Sequence, residues 1–372
     1  MHTAARLVAL GAALAMSVVA AGVLRAQSHR SFDHSALARS ALEGHIKPGY
    51  HRLEEAGVAF EKAVGAYCAK PDAAGAKAAH AAFDGVVTAW GRIEHITFGP
   101  IAAGNRIERI LFFPDRRGLG ARQIAAALRS HDASVTNVDA LSRRSVALQG
   151  LGAFEVVLLA DVDRSQGRAD LDHRCRFGLA IAGNIAAIAK SVSSEWRRAD
   201  GFAKHWLEPG AGNPAFLKNT ETTLALAKAL SRGIEQVRDE RIVGPLGFGP
   251  QRRRLPAVLG SSARTMRLVQ ANIDGLHDLW TAGGMQAAII ATRAPEATGT
   301  IPELAALVGL ELGTASKLAG ALLIHRKPFD GGTATRSIIS MGFPLKNARH
   351  RANLLLGEVA GVTLGFNSSD GD

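Results

Sequence analysis

The sequence predicts an all-α fold made of two packed helical bundles. Three observations lead to this expectation: apolar residues recur at helical spacing over most of the chain, alternating strand-like runs of Val, Ile and Thr are missing from the sequence, and a break rich in Gly and Pro lies near its centre. With 372 residues, 47% of them hydrophobic, the chain is long enough for two domains of about 150 residues each.

The first 26 residues follow the pattern of a secretory signal peptide. Arg6 precedes a run of Ala, Leu, Val and Gly, and "LRA" stands before Gln27, so we place the cut after Ala26. The alternative is an uncleaved membrane anchor, because the apolar run is close to the length that spans a bilayer. No later stretch is judged long and apolar enough to cross a membrane, so we expect a periplasmic mature chain without a membrane span.

Helical patterns divide the rest of the chain into two halves. The first, residues 27–208, has helical periodicity over 32–90 and again after a break over 98–120, and it ends at "LEPGAGNP". The second, residues 209–372, has predicted helices over about 215–241, 265–281, 301–326 and 347–363. Each half contains the tripeptide Phe-Gly-Pro at the end of a helical stretch, at 98–100 and 248–250, which suggests a duplicated module.

Charge and motifs exclude several classes of function. The formal net charge of +11 becomes +9 when Arg6 and Arg25 leave with the signal peptide (11 − 2), but aromatic residues are only 5%, so we expect no nucleic-acid partner. Signatures of zinc peptidases, serine hydrolases and phosphate-binding loops are missing from the sequence. The two cysteines, Cys68 and Cys175, are candidates for one long-range disulfide in an oxidising compartment, or else are two buried thiols.

One acid, Glu155, lies in the apolar run "LQGLGAFEVVLLAD", where its neighbours at helical spacing are also apolar. We therefore expect this carboxylate to be buried. A buried carboxylate needs a counter-charge, a bound cation or a proton, because removing it from water alone costs several kcal/mol.

The densest polar group surrounds the first helix break, in "WGRIEHITFGPIAAGNRIERILFFPD". One interpretation is an ion-pair network that ties the break to the bundle. The other is a ligand pocket in which Arg106 or Arg109 balances Glu155 or an anionic ligand, and His95 contributes a titratable or ligating nitrogen. The candidate ligand-binding residues in this region are Glu94, His95, Asn105, Arg106, Glu108, Arg109 and Glu155, with Glu155 and His95 as candidate metal ligands.

The C-terminal segment adds two further candidates, Lys346 in a basic helix start and Asp370 in the closing "GFNSSDGD". Carboxylates near Asn and Ser could ligate a hard cation, and a frayed acidic tail is the alternative.

The segment around the first break, the "SVALQGLGAFEVVLL" helix and the closing "GFNSSDGD" together resemble imelysin-like proteins of bacterial envelopes. The resemblance implies two helical bundles with a site between them, a secreted location, and either metallopeptidase activity or a role beside iron uptake. The family hallmark is Gly-x-His-x-x-Glu. Here Gly150 and Glu155 fill the first and last positions, but Gly152 stands where the family has His.

Three functions follow. The first is a non-enzymatic envelope protein that binds a metal, such as iron, or an anionic ligand between the bundles and is linked to iron uptake. The second is a metallopeptidase with a rearranged site, for which Glu94, His95 and Glu155 are the candidate ligands of a divalent metal. The third is a structural protein with a partner in the cell envelope.

Overall fold

The computed structural model describes residues 31–159, 167–248, 254–292 and 300–362, and within these ranges it contains helices and no strands. The predicted all-α class is confirmed. The predicted signal peptide, residues 1–26, and Asp370 lie outside the described residues. The α-helices are α1 His34–Ala41, α2 Lys47–Ala69, α3 Ala73–Gly91, α4 Arg106–Ile110, α5 Leu119–Arg129, α6 Val138–Ser142, α7 Gly150–Phe154, α8 Arg168–Arg197, α9 Phe202–Leu207, α10 Asn219–Glu235, α11 Gly244–Leu246, α12 Thr265–Trp280, α13 Met285–Thr292, α14 Thr300–Ala321 and α15 Gly332–Ala360.

The helices pack as two bundles. In the first, α2 packs against both α3 and α8; in the second, α14 packs against α12 and α15, and α10 packs against α15. Contacts of α3 with α12 and of α1 with α10 join the two bundles. The expected boundary after residue 208 falls in the connection between α9 and α10 and stays a prediction. So does the duplicated module, because part of the second Phe-Gly-Pro tripeptide lies outside the described residues.

Local sequence explains where α3 begins and how closely its end meets the second bundle. The side chain of Asp72 accepts the Gly75 N–H at 2.7 Å and so caps the helix. Where α3 ends, α12 crosses so closely that a Cβ on Gly275 would lie 2.2 Å from the Arg92 carbonyl oxygen. Arg92 also forms ion pairs with Asp274, at 3.2 Å, and with Asp278, at 2.5 Å. This crossing therefore requires glycine at position 275, and the two ion pairs of Arg92 hold α12 against the end of α3.

A disulfide between Cys68 and Cys175 connects α2 to α8 inside the first bundle. Trp206 and Trp280 are fully buried, and each indole N–H finds an acceptor. Trp206 donates to the Ala38 carbonyl at 2.8 Å, and Trp280 donates to the Ala305 carbonyl at 2.9 Å. These tryptophans therefore fix helix positions by hydrogen bonding as well as by packing.

The largest error in the helix boundaries is at α15, which begins at Gly332 and not near Asn347. Pro344 lies inside this helix, although proline lacks the N–H needed there. In the structure α15 continues through Pro344. Its inward residues Ile338, Met341 and Leu345 are buried, and their burial maintains the helix across the proline.

Within the described residues, two helices, α8 and α14, are long and apolar enough to cross a membrane by length and composition alone, contrary to the prediction from the sequence. In α8, 72% of the apolar window is buried inside the protein, as in the core helix of a bundle. In α14, 33% of the window is buried, so much of its apolar surface faces outward.

In the ranges that the structure describes, three π-helical segments adjoin these α-helices: π1 Leu42–Ile46, π2 Glu155–Leu159 and π3 Gln236–Val243. Each contains a buried polar or charged side chain, respectively His45, Glu155 and Arg241. Such wide turns are rare and are frequently found at functional sites.

Candidate functional site

A cavity of about 260 Å³ lies beside Glu155. Its walls come from residues 111–156 and from 255–259, so both halves of the chain contribute. Most of the lining is apolar, including Phe112, Phe113, Leu255 and Val258. The charged lining residues are Asp115, Arg116 and Glu155, of which Glu155 is buried. Concave, mostly apolar spaces with few polar groups are typical of small-molecule sites.

Glu155 begins π2 and is 6% exposed, so its predicted burial is confirmed. The backbone N–H of Ser262, from the second half of the chain, donates to its Oε1 at 2.7 Å. Among the described residues, the carboxylate forms no ion pair with a Lys, Arg or His. The expected pairing of Glu155 with Arg106 or Arg109 is therefore wrong for this part of the chain.

The two arginines proposed for that role are occupied elsewhere. Arg106 forms an ion pair with Glu195 at 3.0 Å and donates to the Pro100 carbonyl at 2.6 Å. Arg109 donates to the amide oxygens of Gln149, at 3.0 Å, and Asn184, at 2.8 Å. Burial and the neighbouring Arg106 both lower the pKa of Arg109. Their local geometry thus fits the interpretation of a network that ties the first helix break to the bundle.

Glu94 belongs to a separate buried network at the contact between the bundles. Arg241, in π3, donates to its Oε1 at 2.5 Å, and Asn272, in α12, donates to its Oε2 at 2.9 Å. Arg241 also donates to the Asn272 amide oxygen and is completely buried. This network satisfies both carboxylate oxygens, as a buried charge requires. Sequence reasoning missed Arg241 and Asn272, because nothing local marks residues that meet Glu94 only in the folded chain.

His95 pairs with His45, a residue that was not selected from the sequence. Their Nε2 atoms lie 2.9 Å apart, and both rings are buried. The Nδ1 atoms of both rings have no hydrogen-bond partner in the described structure. Burial lowers the pKa of His95 to about 3. The pKa of His45 is also lowered, mainly by burial and to a smaller extent by the nearby His95. Both rings are therefore neutral at pH 7.

The remaining candidates lie apart from the cavity lining. Asn105 and Glu108 are exposed near the start of α4, and Asn105 has a left-handed backbone, with φ of 55°. Lys346 is exposed on α15. The described residues contain no group of three or more His, Cys, Asp or Glu side chains arranged to hold a metal ion. The metal roles of Glu155 and His95 stay predictions, since neither side chain belongs to such a group in the described part of the chain.

Comparison with known proteins fits this two-bundle structure. The family model for imelysin, Peptidase_M75, matches residues 46–315, which is more than half of the 372-residue chain. The chain belongs to the imelysin family. A search of curated proteins found no match.

Two solved structures share the fold of this imelysin-family chain. An imelysin-like protein from Psychrobacter arcticum is 15% identical with a TM-score of 0.73, and the match covers 90% of this chain and 99% of that one. A protein described as an iron-regulated protein A precursor from Parabacteroides distasonis is 12% identical with a TM-score of 0.72, covering 89% of this chain and 97% of that one. At these identities the comparison establishes the fold alone.

The two glycines of the hallmark segment play different roles in the structure. Gly150 has φ of 77°, and a Cβ there would lie 2.3 Å from the Ile110 carbonyl oxygen, so another backbone packs closely against it. At Gly152, by contrast, a Cβ would meet nothing within 4 Å. Gly152 lines the cavity. The position at which the family has His therefore opens onto free space one helical turn from Glu155.

Proposed function

We propose that this chain is a secreted envelope protein that binds a small organic cation in the cavity beside Glu155 and does not cleave peptides. The observation that carries the proposal is a buried carboxylate on a largely apolar cavity, with one backbone hydrogen bond and no basic partner among the described residues. A cation bound there would supply the charge compensation that burial requires.

The cavity walls favour an amphipathic cation over the other ligand classes. Phe112, Phe113 and Leu255 offer apolar contact to the body of such a ligand, and Glu155 offers a charge for its head group. An anionic ligand is disfavoured because Arg106 and Arg109 have partners of their own. A resident metal ion fits poorly, since structural and catalytic zinc sites use three or four protein ligands and Glu155 belongs to no group of three or more His, Cys, Asp or Glu side chains among the described residues.

The proposed location and physiological role rest on two further observations. The N-terminal residues follow a signal-peptide pattern, which supports a periplasmic protein. One structural relative is described as iron-regulated, which supports a link to iron uptake. Cell fractionation tests the location. Measuring protein abundance in iron-depleted and iron-replete cells tests the link, which predicts higher abundance under depletion.

Calorimetric titration of the mature chain, residues 27–372, tests ligand binding. Benzyltrimethylammonium serves as the organic cation, while Zn²⁺ and Fe³⁺ serve as metal probes on protein purified without metal-affinity resin. Glu155→Gln removes the charge and keeps the shape, so it should weaken cation binding at least tenfold, as expected for a desolvated charge pair worth about 1.4 kcal/mol or more. The same substitution at Glu303, exposed on α14, is the matched control and should change nothing.

Each other outcome contradicts the proposal. Equal cation binding by the Glu155→Gln variant and the wild type would place the ligand elsewhere. Stoichiometric Zn²⁺ together with peptide hydrolysis that depends on Glu155 would establish the metallopeptidase alternative. Binding of none of the three probes would favour the structural role with an envelope partner.

A further inference from the structure

The outer face of α15 carries a continuous stripe of exposed apolar and basic side chains. Its spacing of three or four residues places them all on one side of the helix. This α15 stripe consists of Arg336, Ile339, Phe343, Lys346, His350 and Leu354. Lys346, a candidate ligand-binding residue from the sequence, belongs to this stripe and does not line the cavity beside Glu155.

The apolar members of the α15 stripe face outward although the helix has a well-packed inner side. Phe343 is 68% exposed, Leu354 42% and Ile339 39%. On the opposite side Met341 and Leu345 are fully buried, so α15 cannot rotate to cover the stripe without exposing its core residues. Three large apolar groups repeated along one helical face point to a contact surface.

The charges of the α15 stripe have one sign. Arg336, Lys346 and His350 form no ion pair among the described residues, and the stripe contains no acidic residue. By contrast, the flanking Arg349 and Arg351, which are partly buried, form ion pairs with Glu235 and Glu311 respectively. The unpaired basic groups are thus the outward ones, in a chain whose net charge is strongly positive.

We propose that the α15 stripe docks on an anionic lipid surface, with α15 lying in the plane of the interface. Helices that bind this way combine an apolar side with Lys and Arg, which attract anionic head groups. In this arrangement Phe343, Ile339 and Leu354 enter the head-group region while Arg336 and Lys346 contact phosphates.

Charge complementarity selects a lipid surface over a second copy of the chain. A symmetric dimer through the α15 stripe would bring the same unpaired positive groups together with no acid of the stripe to neutralise them. An anionic bilayer instead supplies the negative charge that the stripe lacks. This inference is independent of the cavity, and failure of the ligand proposal leaves it unchanged.

Flotation of the mature chain with lipid vesicles tests the docking. Vesicles of phosphatidylcholine with 30% phosphatidylglycerol, about the anionic content at which basic residues bind well, are compared with pure phosphatidylcholine. The wild type should float with the anionic vesicles alone and be released at high salt, because exposed charges are screened. Arg336→Gln with Lys346→Gln, and separately Ile339→Ser with Phe343→Ser, should each weaken partitioning by about tenfold.

Matched substitutions at exposed sites away from α15 control for charge and hydrophobicity. Arg143→Gln with Lys218→Gln removes the same two charges, and Leu217→Ser removes an apolar side chain that is 63% exposed. Both controls should bind within about twofold of the wild type, well under the tenfold loss expected for the stripe. The proposal is overturned if stripe and control variants bind alike, if no vesicle binds, or if Phe343→Ser abolishes a dimer seen without lipid.

Discussion

Acidification should destabilise the protein through the buried His45–His95 pair. Burial lowers the pKa of His95 from 6.5 to about 3, so the folded protein binds fewer protons than the unfolded chain between these values. The stability supplied by the neutral ring is fully present above pH 6.5 and is lost as the pH falls toward 3. Each pH unit corresponds to about 1.4 kcal/mol, so His95 alone should remove about 2 kcal/mol between pH 6.5 and pH 5.

Urea unfolding followed by circular dichroism, from pH 7.5 to pH 5, measures this loss. In the His95→Gln variant, the new side chain can still hydrogen-bond to His45 but no longer titrates. The unfolding free energy of this variant should therefore fall less steeply with acidification than that of the wild type, with a difference in slope of about 1.4 kcal/mol per pH unit. His51→Gln makes the same change on the exposed side of α2 and should keep the wild-type slope. The reasoning is refuted if His95→Gln and wild type lose stability in parallel.

Four further substitutions test the local geometry, each by its unfolding free energy. Gly150→Ala should cost more than about 2 kcal/mol, because the new methyl group meets a backbone carbonyl at a left-handed position. Gly152→Ala, in contrast, should be neutral or slightly stabilising. Equal effects of the two substitutions would contradict the geometry. Arg241→Met should cost about 3–5 kcal/mol by leaving the Glu94 carboxylate buried without its counter-charge, and a loss below about 1 kcal/mol would show the pair to be dispensable. Cys68→Ser should cost about 2–5 kcal/mol by opening the disulfide, and should make the protein insensitive to reducing agents that destabilise the wild type.

Local sequence patterns were sufficient for the helical class and for the burial of Glu155. Helical periodicity and the apolar neighbours of that acid are both short-range signals. The extent of α15 was not predictable in the same way, because Pro344 is a local break signal that tertiary packing overrides. The outward apolar face of α14 was not predictable, because composition does not show which side of a helix packs against its neighbours.

The partners in the candidate site could not be predicted for a physical reason. Glu155 receives its hydrogen bond from the main chain of Ser262, and a backbone N–H has no signature in the sequence. Glu94 meets Arg241 across 147 positions of the chain, a distance over which spacing rules carry no information. Arg109 donates hydrogen bonds to the side-chain amide oxygens of Gln149 and Asn184, whereas the prediction paired it with the Glu155 carboxylate or an anionic ligand.

The three π-helical segments that contain His45, Glu155 and Arg241 should respond to deletions differently from the α-helices around them. A wide turn holds one more residue than an ordinary turn, so deleting a single amino acid within it restores an ordinary turn and leaves the register of the following helix unchanged. In a regular α-helix the same deletion would rotate every following side chain by about 100° about the axis. Deletions inside these segments should therefore disturb the fold less than deletions in the adjoining α-helices, a contrast that a deletion scan would make visible.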